Sequence, residues 1–225
     1  MSNQDRKPAP TVFVVDDDPD MRDSLQMLIE TLGYCVRVFE SASSFNRFYD
    51  GDRSGCLVLD IRMPGQTGLE LYEELLRSGR RLPVIFITAH ADVSTAVAAM
   101  KTGAIEFLEK PFDGSRLLEL LERAIRIDAQ WREQRSRFDE LDAKIQTLSR
   151  RDRETLEHIL AGDSNKVIAA RLDLTERAVE MRRARLMQKL EVTSTAELVD
   201  MAVTHRVLSD VQQASRHPAF LIPGI

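Results

Sequence analysis

The chain has 225 residues, with 31 Lys and Arg against 36 Asp and Glu, a net charge of −5 and 43% hydrophobic residues. Ten Gly and eight Pro beside 30% charged residues exclude a collagenous or low-complexity chain, and no apolar run reaches the ~18 residues of a membrane helix. The start, Met1-Ser2-Asn3-Gln4-Asp5-Arg6-Lys7, lacks the apolar stretch of a signal peptide, so a cytoplasmic protein without membrane association is expected.

From residue 11, short β-branched runs alternate with longer stretches of helical apolar spacing. The runs are Thr11–Val15, Tyr34–Phe39, Cys56–Leu59, Val84–Ile87 and Ile105–Leu108. Strands that are apolar on both faces and separated by helices are what a parallel sheet covered on two sides requires. The expected fold over residues 11–125 is therefore a flavodoxin-like (βα)5 α/β domain, in which ligands bind at the carboxyl ends of the strands. Cys35 and Cys56, in apolar surroundings without CxxC spacing, are expected to be reduced core thiols.

From about residue 113 the pattern is helical, with no Gly or Pro between Ser115 and Gly162. Two rows at seven-residue spacing, Leu117, Ala124, Trp131, Phe138, Ile145 and Leu120, Ile127, Gln134, Leu141, Leu148, are apolar at nine of ten positions. Arg123 with Asp128, and Arg137 with Asp142, have the spacing of attractive pairs between parallel helices. Two readings stand: a coiled-coil homodimer along 117–148, with 126–147 as a helical linker, or one amphipathic helix whose first half packs on the sheet.

Residues 148–206 read as four short all-α elements. Ser149, Ser164, Thr175 and Ser194 are in place to cap helices ending near Gly162, Leu172, Leu190 and Arg206. The Asp173-Leu174-Thr175 link suits a helix-turn-helix. Between 177 and 189 Arg177, Arg182, Arg183, Arg185 and Lys189 stand against Glu180 alone, whereas residues 1–125 hold 14 basic and 20 acidic groups. An acidic module followed by a locally basic one implies two tasks. Residues 207–225 form a C-terminal tail, of which Arg216–Ile225, with Pro218, Pro223 and Gly224, is expected to be irregular.

The strand ends carry the chemistry. Asp16-Asp17-Asp18 follow the first run, Asp60 ends the third, Thr88-Ala89 the fourth, and Lys110-Pro111 follow the fifth, all at one end of one sheet. Clustered carboxylates repel unless a cation intervenes, and a hard divalent ion such as Mg²⁺ resolves the conflict. A lysine and a threonine beside it suit phosphoryl oxygens. Helix capping accounts for one of the three consecutive Asp residues at most.

These motifs resemble the receiver domains of two-component response regulators over residues 11 to about 125: Val14-Val15-Asp16-Asp17-Asp18, Leu59-Asp60-Ile61-Arg62-Met63-Pro64-Gly65 with Gly68, Thr88-Ala89, and Glu109-Lys110-Pro111-Phe112. The resemblance implies Asp60 as phosphoacceptor and a Mg²⁺ site of Asp16, Asp17, Asp60 and the Arg62 backbone carbonyl. It also implies Thr88 as the hydroxyl that grips the phosphoryl group, Lys110 as its countercharge, Phe107 as the switching aromatic, and a cis Lys110-Pro111 bond. A sensor histidine kinase would be the donor. Arg62 and His90 are further candidates for flanking the phosphoryl group and tuning its hydrolysis. Haloacid-dehalogenase-type phosphatases place a second Asp two residues after the nucleophile; Arg62 stands there, so no enzyme beyond slow self-dephosphorylation is expected.

Residues 148–206 resemble the LuxR/FixJ-type helix-turn-helix, through Leu148–Glu154, Gly162–Leu172, Val179-Glu180, Met187–Leu190 and Ala196–Val199. The whole is similar to a FixJ/NarL-type response regulator, which implies phosphorylation-controlled binding of double-stranded DNA by a homodimer formed through helix 117–148, the receiver or both. Candidate DNA contacts are Lys166, Thr175, Arg177, Glu180, Met181, Arg183, Ala184, Arg185 and Lys189. Asp173 stands where the family has Gly, Ala178 where it has Thr, and Arg182 where it has His. The alternative is a phosphorylation-switched module for protein or RNA without duplex binding.

Overall fold

The computed structural model describes residues 9–89, 97, 99–100 and 102–215, with side chains to residue 211. Five strands, β1 (Thr11–Val15), β2 (Cys35–Phe39), β3 (Gly55–Asp60), β4 (Val84–Thr88) and β5 (Glu106–Glu109), form one parallel sheet in the order β2-β1-β3-β4-β5. Helices α1 (Pro19–Thr31), α2 (Ala42–Phe48) and α3 (Gly68–Arg77) fall between strands, and α4 (Gly114–Gln146) follows the last. Between β4 and β5 the described residues Val97, Ala99 and Met100 are helical.

Side chains on successive strand residues go to opposite faces, and the two cores divide accordingly. Phe13, Val15, Leu57, Leu59 and Phe86 pack with Phe45, Tyr49, Leu71, Tyr72 and Leu75 of α2 and α3. Val12, Val14, Val58, Ile85 and Ile87 pack with Leu25 and Ile29 of α1 and Leu117, Leu120, Leu121 and Ala124 of α4. This confirms the expected doubly wound arrangement.

The chain up to Arg132 belongs to a first unit, and Glu133–Gln212 form a second. In the second, α5 (Arg150–Leu160), α6 (Asn165–Leu172), α7 (Glu176–Leu190) and α8 (Thr195–Ser215) enclose Leu156, Ile159, Ile168, Val179, Leu186, Leu190 and Leu198. Ser149, Ser164, Thr175 and Ser194 accept backbone hydrogen bonds from Asp152, Val167, Ala178 and Glu197, as expected for caps. Among the described residues no helix is long and apolar enough to cross a membrane.

Four expectations change. Helix α8 runs to Ser215 rather than stopping near Arg206, because Val207–Ser215 offers no Gly or Pro; residues 216–225 of the expected tail lie outside the described residues. Cys35 is exposed while Cys56 is buried, since β2 is an edge strand and β3 lies inside the sheet.

The heptad seam along 117–148 is largely spent within the chain. Leu117, Leu120 and Ala124 are buried under the sheet, Trp131 lies 4.3 Å under the Arg81 guanidinium, Phe138 stacks on His205 at 5.2 Å, and Leu148 joins the second core. This packing leaves the two heptad rows little apolar surface for a partner helix along that whole stretch.

The two acidic members of the expected interhelical pairs also have partners inside the chain. Asp128 is buried, accepting from Ser54 Oγ at 2.7 Å, the Gly55 amide at 2.9 Å and Arg132 Nε at 2.9 Å. Asp142 meets His205 at 3.0 Å.

Candidate functional site

Strand order puts the carboxyl ends of β1, β3, β4 and β5 side by side. Asp16 and Asp60 are both buried there, at the end of β1 and on the last residue of β3. Thr88, the last residue of β4, is buried and in register with Glu109, and its carbonyl accepts from the Lys110 amide at 2.8 Å. That bond starts Lys110 on its path back over the strand ends. Its ammonium lies 2.8 Å from Asp16 Oδ2 and 3.0 Å from Asp60 Oδ1. The Lys110-Pro111 peptide bond is cis, as expected.

Each carboxylate is held from its other side. Asp16 Oδ1 accepts from the Asp18 amide at 2.9 Å, the Asp16 carbonyl accepts from Arg22 Nη1 at 2.7 Å, and Asp60 Oδ2 accepts from the Arg62 amide at 2.7 Å. Asp18 caps α1 through Asp20 and Met21, and so is the one Asp that capping accounts for. Gly68 opens α3 so close to β3 that a Cβ there would stand 2.2 Å from the Asp60 carbonyl oxygen. The loop after β3 is thereby pinned at its far end.

Burial is the largest influence on Asp60 and holds its carboxyl above the ordinary carboxylate range against the pull of Lys110. Burial works against the Lys110 ammonium, but hydrogen bonds to Asp16 and Asp60 prevail and hold it above the usual lysine range. Lys110 is thus a fixed positive charge between two carboxylates.

Asp16, Asp60, Thr88 and Lys110 are brought together as expected. Phe107 is half-buried against the core on the α2 and α3 side of the sheet. Asp17 is exposed, and among the described residues no three acidic, Cys or His side chains form a group able to hold a metal ion. The expected Asp16, Asp17, Asp60 constellation is therefore not gathered in this conformation, in which Lys110 bridges two of its members. His90 lies outside the described residues.

In the second unit, Val179, Leu186 and Leu190 turn α7 toward the core and leave Arg177, Glu180, Met181, Ala184 and Arg185 exposed along the opposite side. Lys166 and Thr175 are exposed at the starts of α6 and α7. Two of the expected DNA contacts have partners within the chain. Lys189 pairs with Asp152, whose carboxyl it lowers, and Arg183 donates to Thr195 at 3.2 Å. Asp173 adopts the left-handed conformation expected of it, with φ 54°.

What sequence reading missed is Asp128. A signal existed: Leu117, Leu121, Ala124 and Asp128 follow one another at intervals of four, three and four, on one face of α4.

Residues 12–122 match the family model described as the response regulator receiver domain, and residues 146–202 that of bacterial regulatory proteins of the luxR family. The chain is 39% identical over 199 residues to the transcriptional regulatory protein FixJ of Bradyrhizobium diazoefficiens, covering 88% of this chain and 97% of that one. It is 36% identical to the transcriptional regulatory protein TdiR of Thauera aromatica, covering 96% and 93%. Among solved structures, the response regulator StyR superposes with a TM-score of 0.79 at 42% identity over 87% of this chain and 98% of that one. Full-length FixJ from B. japonicum superposes with a TM-score of 0.53 at 38% identity, covering 88% and 98%.

Proposed function

Since the chain belongs to the response regulators in which a receiver domain is joined to a LuxR-type DNA-binding domain, we propose that Asp60 is its phosphoacceptor and that Asp16, Asp17, Thr88, Phe107 and Lys110 serve the phosphoryl transfer. The family sets a sensor histidine kinase before it and phosphorylation-controlled DNA binding and transcription after it. The observation that carries the assignment is the buried Asp16, Lys110, Asp60 arrangement at the carboxyl end of the sheet.

A carboxylate oxygen of Asp60 attacks the phosphorus of a phosphohistidine in line. The P–N bond breaks as the P–O bond forms, and the imidazole leaves with the electron pair and a proton. Lys110 keeps its charge throughout and faces the new phosphoryl oxygens. The Thr88 hydroxyl, at the end of the neighbouring strand, donates to one of those oxygens. Its movement makes room for Phe107 and reshapes the surface around β4 and β5.

The donor set suits Mg²⁺. Asp16 and Asp60 are oxygen donors that the single charge of Lys110 leaves under-compensated, and with Asp17 and the Arg62 carbonyl they would hold an ion that neutralises phosphoryl charge. No acid or base stands two residues after Asp60, which supports a protein limited to its own phosphotransfer and slow dephosphorylation.

In the output domain, Arg177, Glu180, Met181 and Ala184 face the bases, while Lys166, Thr175 and Arg185 serve the phosphates. Paired half-sites call for a homodimer. With the 117–148 seam mostly spent, the receiver and the exposed Val203, Val207 and Val211 of α8 are the surfaces that support one.

Intact mass after incubation with Mg²⁺ and a small phosphodonor tests the assignment. A Mg²⁺-dependent phosphoryl adduct is expected on the wild type and not on Asp60→Asn, and an adduct on both would overturn it.

A further inference from the structure

The outward side of α7 has an apolar centre. Met181 is 55% exposed, one of the few large hydrophobic side chains so placed among the described residues, and Ala184 lies beside it at i+3. Arg177 and Arg185 stand one turn before and one turn after Met181 on the same row, both exposed. Two other basic residues of the helix, Arg183 and Lys189, already have partners in Thr195 and Asp152. The row therefore presents a methyl-bearing, flexible thioether between two guanidinium groups.

The partner that matches this arrangement is polyanionic at its edges and carries an isolated methyl group in the middle. Duplex DNA offers that combination in the major groove, where the thymine 5-methyl is the one apolar group on a base edge and small or flexible apolar side chains are its partners. The charge of the helix favours this occupant over an apolar protein surface, which would leave Arg177 and Arg185 without anions.

We propose that Met181 reads a thymine 5-methyl group, with Ala184 packed beside it, so that each half-site carries a thymine opposite the middle of α7. The inference rests on duplex DNA binding by the output domain. It goes further in naming the base and the atom read.

The test uses the full chain and the duplex it selects from a random pool. Each thymine in a half-site is replaced in turn by uracil, which removes the 5-methyl and nothing else. One such replacement is expected to weaken wild-type binding about fourfold per half-site changed, the effect of burying one methyl group. Met181→Ala should weaken binding to the unmodified duplex by a comparable factor, be indifferent to that same uracil, and keep the wild-type salt dependence. Met181→Leu should keep the discrimination.

Indifference of the wild type to every uracil, or discrimination undiminished in Met181→Ala, would overturn the inference while leaving DNA binding intact. Absence of any salt-dependent binding to duplex would overturn the DNA-binding reading, and the inference with it.

Discussion

Asp128→Ala should unlock the base of the receiver. The carboxylate is 2% exposed and takes hydrogen bonds from Ser54 Oγ, the Gly55 amide and Arg132 Nε, while Arg132 continues to the carbonyls of Asp52 and Arg53. Removing it leaves the buried Gly55 N–H without an acceptor, at a cost of about 1–3 kcal/mol, and breaks a buried ion pair, for which 3–5 kcal/mol is usual. Arg132 is partly exposed and keeps its two carbonyl partners, which places the total near the lower end, at about 3 kcal/mol. For a unit of this size that corresponds to a fall of roughly 10 °C in melting midpoint.

Calorimetry on the full chain separates the two units, and only the receiver transition should move. Arg132→Ala should cost less than Asp128→Ala, because Asp128 then retains Ser54 and Gly55. A shift under roughly 2 °C for Asp128→Ala, or a shift confined to the output transition, would refute the reasoning.

Three further outcomes are expected. Asp60→Asn should stabilise the receiver at neutral pH, because burial holds the Asp60 carboxyl above its unfolded value and the ionised form is disfavoured in the fold; in pH-dependent denaturant titrations the gain should vanish as acid protonates the wild-type group, and a gain that grows on acidification would contradict this. Lys166→Ala should lower the slope of log affinity against log salt by about 0.9, whereas Lys189→Ala, whose ammonium is tied to Asp152, should barely change that slope and should instead cost the output unit roughly 0.5 kcal/mol. Gly68→Ala forces a Cβ to within 2.2 Å of the Asp60 carbonyl, so α3 must move off β3; a fall in the initial rate of Asp60 phosphorylation is expected, and an unchanged rate would show that the close approach does not position the nucleophile.

The strands and the pocket were legible because each rests on local rules. Both faces of β1, β3 and β4 are covered, so their sequences are nearly unbroken apolar runs, and a polar residue at the end of such a run has one place to go. The helix caps were legible for the same reason, since a Ser or Thr three residues before its partner amide needs no tertiary information.

Asp128 was not legible as an anchor. Its hydrogen-bonding partners, Ser54 and Gly55, are more than seventy residues away in the chain. The seven-residue apolar spacing of α4 is equally consistent with a partner helix, with the sheet and with the output core, and α4 divides its residues between the last two. The exposed position of Cys35 depends on β2 being an edge, which strand composition does not encode. The internal partners of Arg183 and Lys189 lie on other elements, so α7 alone reads as more basic toward DNA than it is.

Asp173 and Glu191, which end α6 and α7, both hold the left-handed conformation, with φ 54° and 57°. Each costs roughly 1 kcal/mol relative to glycine, and each sets a carboxylate at the negative end of a helix. Lys144 offsets Glu191 with an ion pair at 2.8 Å. The output unit therefore opens more readily than its core alone would dictate. Any ligand that binds only the closed unit, duplex DNA included, adds to its stability by mass action. Two backbone angles at the ends of α6 and α7 thus set how much of the output unit's stability is left for bound DNA to add.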